Sequence, residues 1–494
     1  MKMKSLRWSD DFMYQIILNH DRTYDGKFLT CVKSTGIYCL PSCPARKPLQ
    51  KNIQFLPTEQ AAIKAGFRIC KRCRPDLFYR GENPDHTLFS EMLIRIRTNP
   101  DEIKSVTTMA KVCGISTTKL NELVRVHAHI SPAELLCRER IHAASIALIN
   151  ANDRILDIGL SAGFDSEASF HRQFLCRMAM TPNAYRLLRE SAKFSLKLPA
   201  DYSAEDAWRY HLRDKNSLSE RLEHQTLSRG LWVQGKPVLI HLTVDGGYAH
   251  CWWQDSDTLH QAGQLPAGVI IHQQVIRLLG LNTDISGFRS LTKSNKQVEK
   301  LLSPTRNIYI PLTATPFEAL TWAIIGQQIN LTFAASLRQA LIELAGVEIP
   351  ASDLKIHPTP LAISQLSPQQ LSGIRFSRAK SEYLIAAAKA IVSGELNIDD
   401  LEFGSAIVAE KKLREIKGIG PWTARYTLMR GMGFADCVPV GDSGLHTALQ
   451  QFYQLDKRPV AEEAERLMKP FIPFRTLATA YLWESLRKNH ETES

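Results

Sequence analysis

Between residues 101 and 190, apolar positions recur every three or four residues and are interrupted twice in a similar way. In SVTTMAKVCGISTTKLNELVRV, Met109 and Val112 precede a turn at Gly114, and Leu120, Leu123 and Val124 give the next helix one apolar face. In ILDIGLSAGFDSEASFHRQFLCRM, Gly163 and Asp165 open a helix carrying Phe170 and Phe174 one turn apart. SPAELLCRERIHAASIALI, between them, has the period of one long connecting helix. Each interrupted pair predicts a helix-turn-helix. One such hairpin is common in ordinary cores; two in tandem point more strongly to DNA. Thr117, Thr118 and Asn121 in the first reading helix, and Ser166, Ser169 and Arg172 in the second, are the candidates for groove contacts.

The pattern then changes. KFSLKLP reads as a short linker, and PVLIHLTVDGGYAHCWW alternates as a strand pair around Asp245-Gly246-Gly247. GVIIHQQVIRLLGL fits a strand or a helix, and helical periodicity returns from about Pro316. In LREIKGIGPWTARYTLMRGMG one helix ends at Ile416, a Lys417-Gly418-Ile419-Gly420 hairpin follows, and Pro421 takes the first position of the next helix. Glycines at a helix N-terminus let backbone amides approach a phosphate. Asp442 follows Gly441 just before another helical run. It reads equally as an N-cap, worth about 1 kcal/mol, and as a carboxylate at the mouth of a cleft beside the hairpin.

A length of 494 residues predicts three or four domains, and 44% hydrophobic content is ordinary for packed cores. The basic start lacks an apolar signal core, and no apolar run reaches the roughly 18 residues of a membrane span, so the expectation is a cytoplasmic protein without membrane contact. Residues 1–200 carry 30 lysines and arginines against 19 acidic residues, whereas the remainder balances at 31 each. The whole excess of +11 therefore lies in the first two fifths, as either a basic solubility surface or a polyanion partner such as nucleic acid.

Ten cysteines are too few for a disulfide scaffold in so long a chain. Four are grouped, as Cys39 and Cys43 in TGIYCLPSCPARK and Cys70 and Cys73 in FRICKRCRPD. Two short knuckles joined by a loop deliver the four soft ligands of one tetrahedral zinc ion.

These stretches carry three resemblances. Residues 10–80, with TGIYCLPSCPARK and AGFRICKRCRPD, resemble the methyl-accepting N-terminal domain of the Ada adaptive-response proteins. Residues 86–190 resemble the AraC-type double helix-turn-helix. Residues 194–488, with the GIGPW hairpin and Asp442, resemble the AlkA class of DNA-3-methyladenine glycosylases in the helix-hairpin-helix superfamily. The implied fold is multidomain and mainly α. A small zinc-bound α+β domain (1–84) precedes an all-α helix-turn-helix pair (85–192), an AlkA-like α+β subdomain (193–300) and an all-α helix-hairpin-helix core (301–494).

The first resemblance implies that Cys39 accepts a methyl group from a DNA methylphosphotriester, with Cys43, Cys70 and Cys73 as spectator ligands and Thr35, Arg46, Arg68 and Arg72 on flanking phosphates. Methylation would take the site from a formal −2 to −1 and relieve repulsion of DNA, so that the helix-turn-helix pair binds its promoter more tightly. The third implies catalysis by Asp442, a base pocket of Trp422, Tyr426, Gln327 and Phe474, and DNA contacts by Gln328, Gly418 and Gly420. With Trp422 where related bifunctional enzymes place a lysine, no Schiff base or lyase step is expected. The family's intercalating leucine corresponds to Gln328 and its further pocket tryptophan to Phe474. The partner is double-stranded DNA, alkylated or promoter, and the resemblance leaves room for RNA polymerase and for a monovalent cation at the hairpin. The rival readings are a transcription regulator whose glycosylase part is inactive and a purely structural zinc module. No cysteine sits in the Pro-Cys-His-Arg setting of a second methyltransferase domain, so repair of O6-alkylguanine is not expected.

Overall fold

The computed structural model describes residues 6, 8–21, 24–81, 83–214, 216–254, 264–302 and 307–492. They form two compact units, Met1–Glu91 and Met92–Ser494. In the first, β1 (Leu29–Val32), β2 (Ile37–Cys39), β3 (Ile53–Leu56) and β4 (Arg68–Ile69) make a sheet in the order β3-β1-β2-β4. Its core joins Met13, Ile16 and Ile17 of the helix Asp10–Leu18 to Phe28, Ile53 and Phe55. The pairing of β2 with β4 is parallel, Ile37 opposite Arg68 and Tyr38 opposite Ile69, and this register brings the next residues, Cys39 and Cys70, side by side.

The second unit begins with the tandem helix-turn-helix. Helices Val106–Val112 and Thr117–Ala128 form the first, Ile155–Ser161 and Glu167–Met178 the second, and Pro132–Asn150 connects them. Serines start four of these: Ser105, Ser116, Ser131 and Ser166 each cap an N-terminus by accepting the backbone N–H three residues on. The expected opening of the last helix at Asp165 thus moves to Ser166, whose hydroxyl is the better placed cap.

KFSLKLP, expected as a linker, is instead strand β5 (Lys193–Lys197). It pairs with β9 (Tyr248–Trp253) in a sheet completed by β6 (Glu220–Glu223), β7 (Thr226–Val233) and β8 (Lys236–Asp245), ordered β5-β9-β8-β7-β6 and antiparallel throughout. Its alternation, with only Phe194 and Leu196 buried, is that of an edge strand with one solvated face. Gly246 and Gly247, both at positive φ, make the two-residue turn between β8 and β9. The ambiguous apolar run is the helix Ala267–Leu278, whose Val269, Ile271, Val275 and Leu278 are buried in the core that also holds the sheet's inner side chains. Helical structure therefore resumes well before Pro316. That core extends back to Ile141 and Leu148, so residues on either side of position 192 share one interior.

Strand, sheet and helices meet at a buried ion cluster. Glu318, in the first turn of Pro316–Gly326, accepts from Arg229 Nη2 on both carboxylate oxygens, at 2.6 and 2.8 Å. Arg338 lies 3.3 Å from Glu220 and 3.4 Å from Glu318. Burial alone would raise the carboxyl pKa of Glu220, but Arg338 and Arg229 hold it down at about 2. A charge left single here is costly, whereas the paired set is tolerated. Arg229→Ala is expected to lower stability by about 3 to 5 kcal/mol in a calorimetric melt. The folded pKa of Glu220 lies below the unfolded value of about 4.3, so its contribution is complete above that pH and fades as the pH falls towards about 2. The acid-induced drop in melting temperature over that window should be smaller in Arg229→Ala.

Candidate functional site

Two constellations carry chemistry, one in each unit. In the first, the Sγ atoms of Cys39, Cys43, Cys70 and Cys73 all lie within 4.8 Å of one another, and all four are free thiols. Four sulfurs about 2.3 Å from a common centre would stand about 3.8 Å apart, so the set fits one tetrahedral zinc ion. The backbone fixes the ligands. Cys70 N–H donates to the Tyr38 carbonyl (3.1 Å), Cys43 N–H closes a turn on the Leu40 carbonyl (3.1 Å), and Leu40 N–H donates to Cys73 Sγ (3.4 Å). His20 Nδ1 and Lys47 Nζ both donate to the Cys43 carbonyl, a support that spacing alone does not disclose. Cys39 is 8% exposed and Cys43 1%. Thr35, Arg46, Arg68 and Arg72 are all exposed on segments adjoining the cluster, and the Arg72 guanidinium reaches the Pro44 carbonyl at 3.5 Å.

In the second unit, the helix Ala406–Glu415 is followed by the hairpin and by Pro421–Arg430, with Pro421 at the helix start. Gly418 has φ +87°, and a methyl placed there would lie 2.1 Å from the Tyr383 ring, so only glycine fits. Gly420 is exposed, with open space where a side chain would be. Gln327 braces the hairpin by donating to the Gly418 carbonyl and the Thr423 hydroxyl, both at 3.0 Å. Gln328, next to it, is exposed at φ +58°.

Asp442 is the N-cap of Ser443–Tyr453, its Oδ1 accepting Leu445 N–H at 2.8 Å. The same carboxylate accepts two indole N–H groups, Trp483 Nε1 at 3.0 Å on Oδ1 and Trp422 Nε1 at 3.2 Å on Oδ2. Trp422 stacks on Tyr426, ring centres 5.4 Å apart at 28°. Trp483 is not among the residues singled out from the sequence. Phe474, expected in the pocket, packs against Phe288 (5.9 Å) and closely over Gly287, and the tryptophan beside Asp442 is Trp483 on the C-terminal helix Arg475–Thr492. Two and a half turns separate these residues, and the apolar period of ATAYLW offers Trp483 to a core as readily as to a cleft. Behind the pocket, Arg430 lies 5.8 Å from the Trp483 ring and 4.5 Å from that of Tyr210, which Arg213 also faces at 4.4 Å. Tyr210 and Arg213 come from the α+β part, and no motif marks them.

On the helix-turn-helix pair, Thr117, Thr118, Asn121, Ser166 and Arg172 are exposed and Ser169 is half-buried, opposite the apolar faces of Leu120, Leu123, Val124, Phe170 and Phe174. Ser166 is committed to capping, and the Asn121 amide donates to the Thr117 carbonyl one turn back.

Three family models match the chain in order: "Metal binding domain of Ada" over residues 12–76, "Helix-turn-helix domain" over 109–187, and "HhH-GPD superfamily base excision DNA repair protein" over 321–473. A DNA-3-methyladenine glycosylase of Bacillus subtilis is 30% identical over 284 residues, 56% of this chain and 91% of that protein. The chain belongs to the AlkA-type DNA glycosylases. A probable bifunctional transcriptional activator/DNA repair enzyme AlkA of Mycobacterium tuberculosis is 26% identical over 499 residues, 97% of each chain. The protein thus combines DNA repair with transcription regulation; it binds DNA, and its four cysteines form a zinc site. The fold is that of the 3-methyladenine DNA glycosylase of Archaeoglobus fulgidus, at a TM-score of 0.51 and 21% identity over 60% of this chain and 98% of that one. Among the described residues, no helix is long and apolar enough to cross a membrane.

Trp483→Phe keeps the ring and removes one of the three donors to Asp442. Loss of this one hydrogen bond is expected to lower stability by about 1 kcal/mol, read as a lower thermal midpoint.

Proposed function

We propose that the C-terminal enzyme hydrolyses the N-glycosidic bond of cationic alkylated bases such as 3-methyladenine, with Asp442 as the catalytic carboxylate. The observation that carries this is the placement of Asp442 against Trp422 and Trp483, beside the Trp422–Tyr426 stack. A cationic base turned out of the duplex is attracted to electron-rich rings. Such a base leaves without being protonated, so one carboxylate suffices to stabilise the oxocarbenium sugar as the C–N bond breaks and to orient the water that replaces the base. The amides around Gly418 and Gly420 would hold the DNA backbone, Gln327 would keep the hairpin in place, and Gln328 would fill the gap left by the turned-out base. A monovalent cation at the hairpin and RNA polymerase as a partner of the helix-turn-helix pair belong to the same reading.

Cys39 is the methyl acceptor in this reading. Zinc in the four-sulfur site supplies the positive charge that stabilises thiolate at neutral pH. The Cys39 sulfur attacks the methyl carbon of a methylphosphotriester; the S–C bond forms, the C–O bond breaks, and the phosphate leaves as an ordinary anionic diester. Thr35, Arg46, Arg68 and Arg72, all exposed, would position the neighbouring phosphates, and the product thioether lowers the negative charge facing DNA. Thr117, Thr118, Asn121, Ser169 and Arg172 would then read the promoter.

Asp442→Asn keeps an oxygen for Leu445 N–H and leaves folding nearly unchanged, because Asn caps a helix about as well as Asp. Removing the charge should cost about 3 to 4 kcal/mol of transition-state stabilisation, two to three powers of ten in single-turnover release of 3-methyladenine. Near-normal release by the folded variant would place catalysis elsewhere. For the acceptor, incubation with methylphosphotriester DNA should add one methyl group to the tryptic peptide bearing Cys39, and none in Cys39→Ser; an unmodified wild-type peptide would leave the zinc site a structural one.

A further inference from the structure

The five-stranded sheet has a second face that the glycosylase does not use. Its inner face buries Phe194, Leu196, Leu227, Ile240, Leu242, Ala249 and Cys251. Among the described residues the outer face is covered at one end, where Ile349 and Ile356 close over Gly230 and the Trp232 indole donates to the His357 carbonyl at 3.0 Å. The other end is a grid set by strand register. Along β9 stand Tyr248, His250 and Trp252; opposite them on the edge strand β5 stand Lys197, Ser195 and Lys193; on the inner side β8 offers Asp245, Thr243 and His241.

The aromatic row is ordered. Trp252 stacks on His241 (5.3 Å, 25°), which Ser228 holds through its Nδ1 at 2.9 Å. Tyr248 stacks on His250 (6.3 Å, 28°), which Ser195 holds at 2.8 Å. Trp252 and Tyr248 nevertheless keep 38% and 43% of their surface open, in contrast to the covered Trp232. Trp252 and Tyr248, four residues apart on the strand, stand about 13.6 Å apart, about four steps of the roughly 3.4 Å stack of bases. Lysines on an edge strand guard against strand pairing with another chain, and that alone would explain Lys193 and Lys197. It does not explain why each lies directly across from an exposed ring. Asp245 stands on the other flank of Tyr248, so an anionic backbone is favoured on the β5 side alone.

We propose that this face binds an unpaired nucleic-acid strand, with bases stacked on Trp252 and Tyr248 and backbone phosphates running along Lys193 and Lys197. Aromatic platforms beside a basic track are the chemistry by which single strands are held without sequence preference. Among the described residues no ion pair engages either lysine, so both charges remain available to phosphate.

The test uses the full chain and a fluorescein-labelled 12-mer of deoxythymidylate, with a second 12-mer carrying 4-thiothymidine for photo-crosslinking. Crosslinks are expected on the peptide containing Tyr248 to Trp252. Trp252→Ala should weaken binding roughly tenfold, Trp252→Phe should retain most of it, and Lys193→Gln with Lys197→Gln should weaken it and flatten its salt dependence. Base release from alkylated duplex should be unchanged in all of these variants. An oligouridylate run in parallel tells whether the strand is DNA or RNA, and binding of either at this face upholds the site. Crosslinks confined to the helix-turn-helix or hairpin peptides, or a Trp252→Phe variant as weak as Trp252→Ala, would overturn the proposal.

Discussion

The carboxylate of Asp442 is held by three donors that come from three parts of the chain: its own helix through Leu445 N–H, the helix after the hairpin through Trp422, and the C-terminal helix through Trp483. No one of these elements can shift without moving the others' shared acceptor. The hairpin is tied in turn to the end of the helix Pro316–Gly326 by Gln327 and seated on the Tyr383 ring at Gly418. A carboxylate that must face a developing positive charge gains most when its surroundings are already in place, because no reorganisation is then needed during reaction. The cap and the chemical role proposed for Asp442 therefore rest on one arrangement: the cap fixes the backbone, and the two indoles fix the side-chain torsion.

That arrangement rests on a polar interior, where Arg229 and Arg338 face Glu220 and Glu318 between the sheet and the helices Pro316–Gly326 and Leu331–Ala345. A buried pair adds little to stability over an apolar packing of equal volume, yet breaking it is expensive, so it acts on geometry more than on total stability. Glu318 sits one turn into the helix that ends at Gln327, the brace of the hairpin. The α+β part consequently has a mechanical connection to the pocket, and Tyr210 and Arg213 extend it to the ring of Trp483 through Arg430.

Local patterns were legible where one short segment carries the whole signal. The cysteine knuckles, the GIGP hairpin, the Asp442 cap, the tandem helix-turn-helix and the Asp245-Gly246-Gly247 turn all depend on residues within a few positions of each other. What was not legible depends on tertiary pairing. KFSLKLP is too short to show its alternation convincingly, and becomes a strand because β9 supplies its hydrogen bonds. The contact of Trp483 with Asp442 turns on how the C-terminal helix is rotated against its neighbours, which no local spacing encodes. The ion cluster draws its members from positions 220, 229, 318 and 338, and in sequence each is an ordinary charged residue.

The helix-turn-helix pair and the glycosylase share packing. The first reading helix, Thr117–Ala128, lies on Ala406–Glu415, the helix that leads into the hairpin. Buried His127 hydrogen-bonds through Nδ1 to Ser405, the cap of that second helix, at 2.7 Å. His129, just past the reading helix, accepts Asp436 N–H on Nδ1, and burial lowers its pKa to about 4, so the ring is neutral and fit to accept. Both contacts lie at the C-terminal end of the reading helix, away from Thr117, Thr118 and Asn121 at its exposed start. The packing therefore leaves the exposed start of the helix free while fixing its direction relative to the hairpin helix. The contacts of His127 with Ser405 and of His129 with Asp436 set that direction.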